Sequence, residues 1–304
     1  AELALLRMGA RPFHVVVPTP RNRQIVPIRS TGASEAIQRL GPVVTALQQA
    51  GFVVDCTIEG LMHAPETPDI LKAGSRILVI SNEHPEALER MVPDTALEKR
   101  VRAAAKILRG TKRMRVTSKA GTALDVDMVG ASTVGVWGWT DKPGTLAHWP
   151  GGIVVSFPKS GTVNGTLVMA PGDINLTFKR YLASPVTMTL KDDYVTDLKG
   201  EGADAAMMRA YLAAWGDREA YAVSHVGFGM NPGARYEALS MYDQRDTNGT
   251  ELRAVSGNFL FSTGANEFAG RYTAGHFDLP VMGTTIELDG VAVVREGVLQ
   301  DVFG

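Results

Sequence analysis

Two histidines and an aspartate in the last third of the chain are well suited to hold a metal ion. His276 and Asp278 are two residues apart in the segment 275–280, so in an extended strand their side chains project from the same face. His225 lies in a strand-like segment that runs into glycines, which permit close approach of the backbone around an ion. Two imidazoles and one carboxylate on one face of an octahedral ion leave three positions free, which suffices for a bidentate substrate and dioxygen.

The residue types alone do not identify the metal. Iron(II) uses this geometry for oxygenation, whereas zinc also accepts two histidines and a carboxylate, with hydroxide as the fourth ligand. A His-x-Asp pair is also compatible with a surface histidine beside a solvated aspartate. An iron oxygenase, a zinc hydrolase and a site without a metal therefore all stay open at this point.

The remaining histidines differ in their surroundings. His148, like His225 and His276, lies in a glycine- and proline-rich stretch, and loops of that composition commonly carry active-site groups. His14 and His84 have no such context, and we interpret them as ordinary structural or surface residues.

The overall composition fits an enzyme better than a nucleic-acid-binding protein. The 304 residues include 31 basic and 32 acidic side chains, with a net charge of -1 and no long run of one sign. Cys56 is the only cysteine, which excludes an intrachain disulfide and a cysteine-based zinc cage, and its apolar neighbours predict a buried thiol. Because neither a membrane-spanning segment nor a signal peptide is evident, we expect a cytoplasmic protein.

Helix and strand signals alternate in residues 1–110, which we predict to form an N-terminal α/β lobe. The pattern predicts a helix over 35–50, strands over 52–55 and 76–80, and helices over 83–91 and 96–109. Strands separated by helices indicate a parallel sheet covered on both faces. The start resembles the end of a helix that closes near Gly9, followed by a strand over 13–17. Together with the absence of an initial methionine, this leads us to expect a natural chain that begins further upstream.

From residue 111 onward the pattern changes to short strand-like runs broken by Gly, Pro and Asp. We predict that residues 111–304 form a β-rich metal-binding lobe. The expected elements are a helix over 203–215 and strands over 113–119, 153–157, 166–169, 186–190, 194–198, 285–288 and 292–294. The whole chain is therefore assigned to the α/β class, with its candidate metal ligands in the second lobe.

Several ordered segments, from about Val54 to the C-terminus, resemble the 2,5-dihydroxypyridine 5,6-dioxygenase family. These are mononuclear iron enzymes whose fold is related to that of the thermophilic-type metallo-aminopeptidases. The segments that carry the resemblance are His63-Ala64-Pro65, Ile70-Leu71-Lys72-Ala73-Gly74, Ser118-Lys119-Ala120-Gly121, His148-Trp149-Pro150, Gly165-Thr166-Leu167-Val168, Ser224-His225-Val226-Gly227, the run 257–264 and His276-Phe277-Asp278-Leu279-Pro280.

The resemblance places the family's iron ligands on His225, His276 and Asp278, the residues that ligand chemistry selects independently. It implies an aminopeptidase-like fold and an iron(II)-dependent, extradiol-type dioxygenase that cleaves a hydroxylated pyridine or similar aromatic ring. Both atoms of dioxygen would enter a ring-opened acid or amide. The expected partners are a small aromatic substrate and dioxygen, without nucleic acid or membrane, and the resemblance favours a homo-oligomer.

Three further residues are catalytic candidates on this resemblance. His148 is assigned to substrate binding or proton transfer, Ser262 matches an active-site serine, and His63 is a weaker candidate for the pocket. Each has a structural alternative. His148 could pack on Trp149, Ser262 could cap the backbone of a turn, and His63 could donate to a backbone carbonyl near Pro65.

Two departures from the family pattern keep the ring substrate open. Val136 stands where a glutamate is expected, and Trp137 and Trp139 beside it predict a bulkier, more apolar wall of the substrate pocket. Asn164 stands where relatives carry an acidic residue, which argues against a peptidase that needs several carboxylates for two ions. A metal-dependent hydrolase of the aminopeptidase lineage is the second interpretation, and a non-catalytic binding module is the third.

Overall fold

The computed structural model describes residues 2–18, 35–58 and 60–303. The helices are α1 Glu2–Arg7, α2 Gly41–Gln49, α3 Thr67–Lys72, α4 Pro85–Arg90, α5 Thr95–Gly110, α6 Gly202–Ala214, α7 Ala238–Met241 and α8 Thr250–Ala254. The strands are β1 Phe52–Asp55, β2 Arg76–Val79, β3 Arg113–Ser118, β4 Ala123–Asp127, β5 Ser132–Val136, β6 Leu146–His148, β7 Ile153–Phe157, β8 Val163–Met169, β9 Ile174–Asn175, β10 Arg180–Tyr181, β11 Val186–Lys191, β12 Tyr194–Lys199, β13 Val223–Gly229, β14 Phe259–Asn266, β15 Arg271–Val281, β16 Thr284–Leu288, β17 Val291–Arg295 and β18 Val298–Leu299.

Two large sheets share the main hydrophobic core. One has the strand order β12-β11-β8-β4-β3-β16-β17-β18, and the other has the order β15-β14-β13-β7-β5. Alternate residues of each strand face the core, as Met114 and Val116 do from the first sheet and Phe259, Phe261 and Phe277 do from the second. One face of the five-stranded sheet is therefore apolar, which leaves its other face for polar side chains.

A small parallel sheet lies beside this body and includes a strand from late in the chain. Its order is β1-β2-β6, so β2 is central and β6 completes the sheet. Helix α5 belongs instead to the larger body, because its apolar side, with Leu97, Val101 and Ala105, packs into the core of the two large sheets. Residues before and after 110 therefore contribute to the same parallel sheet and to the same core. The boundary between two lobes near residue 110 stays a prediction.

Local sequence patterns located most of the predicted elements but placed the start of α2 too early. Helix α2 begins at Gly41 rather than at residue 35, because Pro42 favours a helical first turn and Arg39 has a left-handed φ of 63°. The strand predicted over 13–17 does not form. The buried thiol was also predicted wrongly, since Cys56 is exposed. Among the described residues, no helix has the length and apolar character needed to cross a membrane.

Candidate metal centre

Three neighbouring strands bring the predicted metal ligands together. His225 lies on β13, His276 and Asp278 lie on β15, and β14 pairs with both strands. One donor atom from each of the three side chains lies within 4.8 Å of the others. Phe277, between the two β15 ligands, points into the opposite apolar core. The two-residue period predicted from the sequence therefore places His276 and Asp278 on one face, as expected.

Local backbone irregularities allow the strands to approach closely at this point. The pairing of β13 with β14 shifts between Val223 and Val226, which re-aims the bulged residues and includes His225. Gly264 pairs with His276 at a φ of 114°, and a Cβ there would lie 2.0 Å from the carbonyl oxygen of Gly275. Only glycine fits such a position.

The donor atoms are spaced like ligands around an ion rather than like hydrogen-bonded partners. Nε2 of His225 lies 3.4 Å from Oδ1 of Asp278, and Nε2 of His276 lies 3.3 Å from Oδ2. Charge-assisted N–H···O hydrogen bonds are shorter, at about 2.7–2.9 Å. Two donors at right angles, each about 2.1 Å from one ion, lie about 3.0 Å apart.

One carboxylate oxygen in this cluster accepts no hydrogen bond. Oδ1 of Asp278 is buried and accepts no hydrogen bond, although Nε2 of His225 is near it. An unsatisfied buried acceptor is costly, and a bound cation would satisfy it. The donor set and this free oxygen both fit one metal ion held by His225, His276 and Asp278.

Arg253 is a member of the site that sequence reasoning missed. Its Nε donates to Oδ2 of Asp278 at 2.6 Å. Burial favours a raised pKa of Asp278, but Arg253, followed by His276 and His225, holds this pKa well below its ordinary value. The carboxylate is therefore ionised, as a metal ligand must be. The one available signal was that a buried aspartate requires a cationic partner. The sequence could not identify that partner as Arg253, because no spacing rule links residues 25 positions apart on different elements.

The strands of the parallel sheet end at Asp55, Val79 and His148, and open α/β sheets commonly bind ligands at this carboxyl edge. His148 ends β6 at this edge, and its Nδ1 donates to the carbonyl oxygen of Pro150 at 2.7 Å. Because a carbonyl only accepts, Nε2 is left as an acceptor. Desolvation, aided by the charge of Arg253, lowers the pKa of His148 to about 4 despite the opposing effects of Pro150 and Asp278. His148 is thus neutral at pH 7.

His63 lies against the triad from the side of the N-terminal segment. Its ring centroid is 5.3 Å from that of His276, and its Nδ1 is 3.9 Å from Oε1 of Glu267. The structural alternative for His63 was a hydrogen bond to a backbone carbonyl near Pro65. No such hydrogen bond is present among the described residues. His63 is therefore placed where it could contact a molecule bound at the metal centre.

Ser262 lies directly across from Asp278 in the pairing of β14 with β15, so the two side chains share a face. Its hydroxyl is buried and makes only a long contact of 3.4 Å with the carbonyl oxygen of Thr263. The alternative of a turn-capping serine is wrong, because Ser262 is inside a strand. Its side chain faces the same side of the sheet as Asp278 and is fully buried.

Phe157 forms an apolar side of the centre that the sequence did not indicate. Its ring packs edge-on against His225 with a centroid distance of 5.6 Å, and Phe268 packs on Phe157 at 4.9 Å. An aromatic surface beside the candidate ligands suits a flat ring.

The two departures from the family pattern lie elsewhere. Val136, Trp137 and Trp139 line a separate cavity of about 180 Å³, and none of the three candidate ligands lines it. Asn164 belongs to the eight-stranded sheet, where its Oδ1 accepts the Asp192 N–H at 2.9 Å. Neither departure therefore bears on the metal ligands directly.

Comparison with known proteins agrees with this geometry. Residues 1–301 match the family described as NicX, 2,5-dihydroxypyridine 5,6-dioxygenase. The 2,5-dihydroxypyridine 5,6-dioxygenase of Pseudomonas putida is 39% identical over 254 residues, which cover 83% of this chain and 71% of that protein.

Solved structures show the same relationship and a broader likeness of fold. The structure of 2,5-dihydroxypyridine dioxygenase from Pseudomonas putida has a TM-score of 0.93 and 34% identity, covering 98% of this chain and 86% of that one. AmpT from Thermus thermophilus, at a TM-score of 0.56 and 16% identity over 98% of this chain and 84% of its own, shares the aminopeptidase-like fold alone. The chain belongs to the 2,5-dihydroxypyridine 5,6-dioxygenase family.

Proposed function

We propose that this ring-cleaving dioxygenase holds one iron(II) ion through His225, His276 and Asp278 and opens a hydroxylated pyridine or a similar aromatic ring. The observation that carries the proposal is the convergence of two imidazoles and a buried carboxylate whose Oδ1 has no hydrogen bond. When bound, the metal supplies open coordination positions for ring oxygens and dioxygen and the redox chemistry between them. The product would be a ring-opened acid or amide that contains both oxygen atoms.

The surrounding side chains would bind and orient the ring. Nε2 of His148 is an acceptor in a neutral imidazole and can accept a hydrogen bond or a proton from a ring hydroxyl. The hydroxyl of Ser262 can donate to a ring substituent. His63 contributes a second imidazole next to His276, and Phe157 supplies an apolar surface that excludes water.

A two-metal hydrolase fits the described residues less well. The described chain contains one group of three side chains able to hold an ion, whereas a second ion would need further carboxylates. The likeness to AmpT concerns the fold only. A homo-oligomeric state and a cytoplasmic location stay predictions, because no contact described above depends on either.

Labelled dioxygen tests the proposal. Protein purified without oxygen should hold one iron per chain and, with 2,5-dihydroxypyridine and ¹⁸O₂, should yield a product that contains two labelled atoms. Incorporation of a single atom, or two zinc ions together with cleavage of a peptide amide, would contradict it.

A variant of one ligand links the chemistry to the site. His276→Ala should lose bound iron and oxygen uptake together while the protein still unfolds cooperatively. His14→Ala is the matched control, because His14 is exposed and, among the described residues, its ion pair is with Glu2. Retention of iron and turnover by His276→Ala would exclude this metal site.

A further inference from the structure

The two oxygens of Asp278 have different environments. Oδ2 accepts a hydrogen bond from Nε of Arg253 at 2.6 Å, whereas the equally enclosed Oδ1 accepts none. The side chains of Arg253 and Asp278 are only 19% and 3% exposed, so this contact is shielded from water. The carboxylate therefore has one occupied oxygen and one free oxygen before any ion binds.

The guanidinium group comes from a helix that is fixed on several sides. At the start of α8, the Thr250 N–H donates to Oε1 of Glu83 at 3.0 Å. The next residue, Glu251, forms a buried ion pair with Arg90. At the end of the helix, Nδ2 of Asn258 donates to the carbonyl oxygen of Arg253 at 3.1 Å. Arg253 is thus not a mobile surface arginine but a group held in place.

We propose that Arg253 is a positioning residue that keeps Asp278 a one-oxygen ligand and thereby keeps a coordination position open for the substrate. This inference rests on the proposed metal site. A carboxylate can bind one ion through one oxygen or through both, and a strong hydrogen bond from a fixed cation opposes the use of Oδ2. With one oxygen bound, an octahedral ion retains three free positions. With both bound it retains two, too few for a bidentate ring and dioxygen together.

The competing explanation is that Arg253 only balances the buried charge of Asp278. In that case its loss would weaken the folded structure around the site and lower the affinity for the ion, while each bound ion would keep its usual number of waters. The proposed role instead predicts an ion that is still bound but carries fewer waters, because the second carboxylate oxygen replaces one of them.

Manganese(II) distinguishes these roles without turnover, because its bound waters enhance the relaxation of solvent protons. We would compare the wild-type protein with Arg253→Met and Arg253→Lys, with bound Mn(II) measured separately in each. Arg253→Met should retain the ion and lose about one third of the relaxation enhancement per bound ion, since three open positions become two. Arg253→Lys should recover most of it, because an ammonium group can donate to Oδ2.

Arg271→Met is the matched control. Arg271 is a buried arginine on β15, the strand of His276 and Asp278, but it pairs with Asp193 and Glu219. Its loss should leave the enhancement per bound ion unchanged. An unchanged enhancement in Arg253→Met, or a loss of Mn(II) affinity with normal enhancement per bound ion, would overturn the inference. Failure of the wild-type protein to bind Mn(II) would instead contradict the proposed metal site itself.

Discussion

Two buried arginine–aspartate pairs that involve the five-stranded sheet differ in how completely their carboxylates are satisfied. Asp193 accepts hydrogen bonds from the backbone N–H groups of residues 161–163 at 2.7–2.9 Å and from Arg271 at 3.1 Å. Asp278 accepts one from Arg253, and its Oδ1 accepts none. The same pair of residue types thus forms a closed structural contact in one place and an incomplete one, open to a cation, in the other.

Breaking the closed pair should give the largest change in stability. Arg271→Met leaves the buried carboxylate of Asp193 without its cation, and loss of one partner of such a pair costs about 3–5 kcal/mol in the free energy of unfolding. Urea unfolding would measure this loss. Iron bound per folded chain should stay the same, and a parallel loss of iron would show that the two pairs are not independent.

A smaller change in the free energy of unfolding should come from the protonation of His148 as the pH is lowered. The pKa of His148 is about 4 in the folded protein and 6.5 ordinarily, so between these values the unfolded chain binds more protons. Stability of the metal-free protein should therefore fall as the pH drops from about 6.5 towards 4. His148→Gln should remove at most about 2 kcal/mol of the loss between about pH 7 and pH 5.

The control for this measurement is the exposed His14. His14→Gln should keep the wild-type dependence of unfolding free energy on pH. If His148→Gln kept the same dependence as well, His148 would not be the neutral, desolvated imidazole inferred from its contacts.

The smallest effect should come from Ser262. Ser262→Ala should raise KM about fivefold, because one neutral hydrogen bond to the substrate contributes about 1 kcal/mol. Iron content and unfolding free energy should change little, since the hydroxyl makes only a 3.4 Å contact within the protein. Steady-state kinetics with 2,5-dihydroxypyridine would measure it, with Thr263→Ser as a control on the opposite face of β14. An unaltered KM would remove Ser262 from the substrate contacts.

The candidate metal ligands could be predicted from the sequence, but the residues that contact them, such as Arg253 and Phe157, could not. Strand periodicity places His276 and Asp278 on one face of β15. Glycine-rich context singled out His225 and His148, and the resemblance to a family added Ser262 and His63 and assigned a role to His148. These groups come from distant segments, so their meeting depends on sheet order rather than on spacing.

Long-range contacts account for what could not be predicted. Arg253 reaches Asp278 from α8, and Phe157 reaches His225 from a neighbouring strand. The apolar residues around Trp137 look from the sequence like part of the substrate pocket, yet they line another cavity. Side-chain type predicts what a residue can do, while the packing of distant elements decides where it does so.

Strand β6 makes the two halves of the chain mutually dependent. It pairs with β2 through residues 77–79, so a fragment that ends at residue 110 would leave β2 with an open edge of unpaired N–H and C=O groups. Such an edge is a template for pairing with other chains, and this fragment should aggregate. The complementary fragment would keep His148 but lose β2, the strand with which His148 pairs. Cutting the chain at this point would therefore break the pairing of β2 with β6.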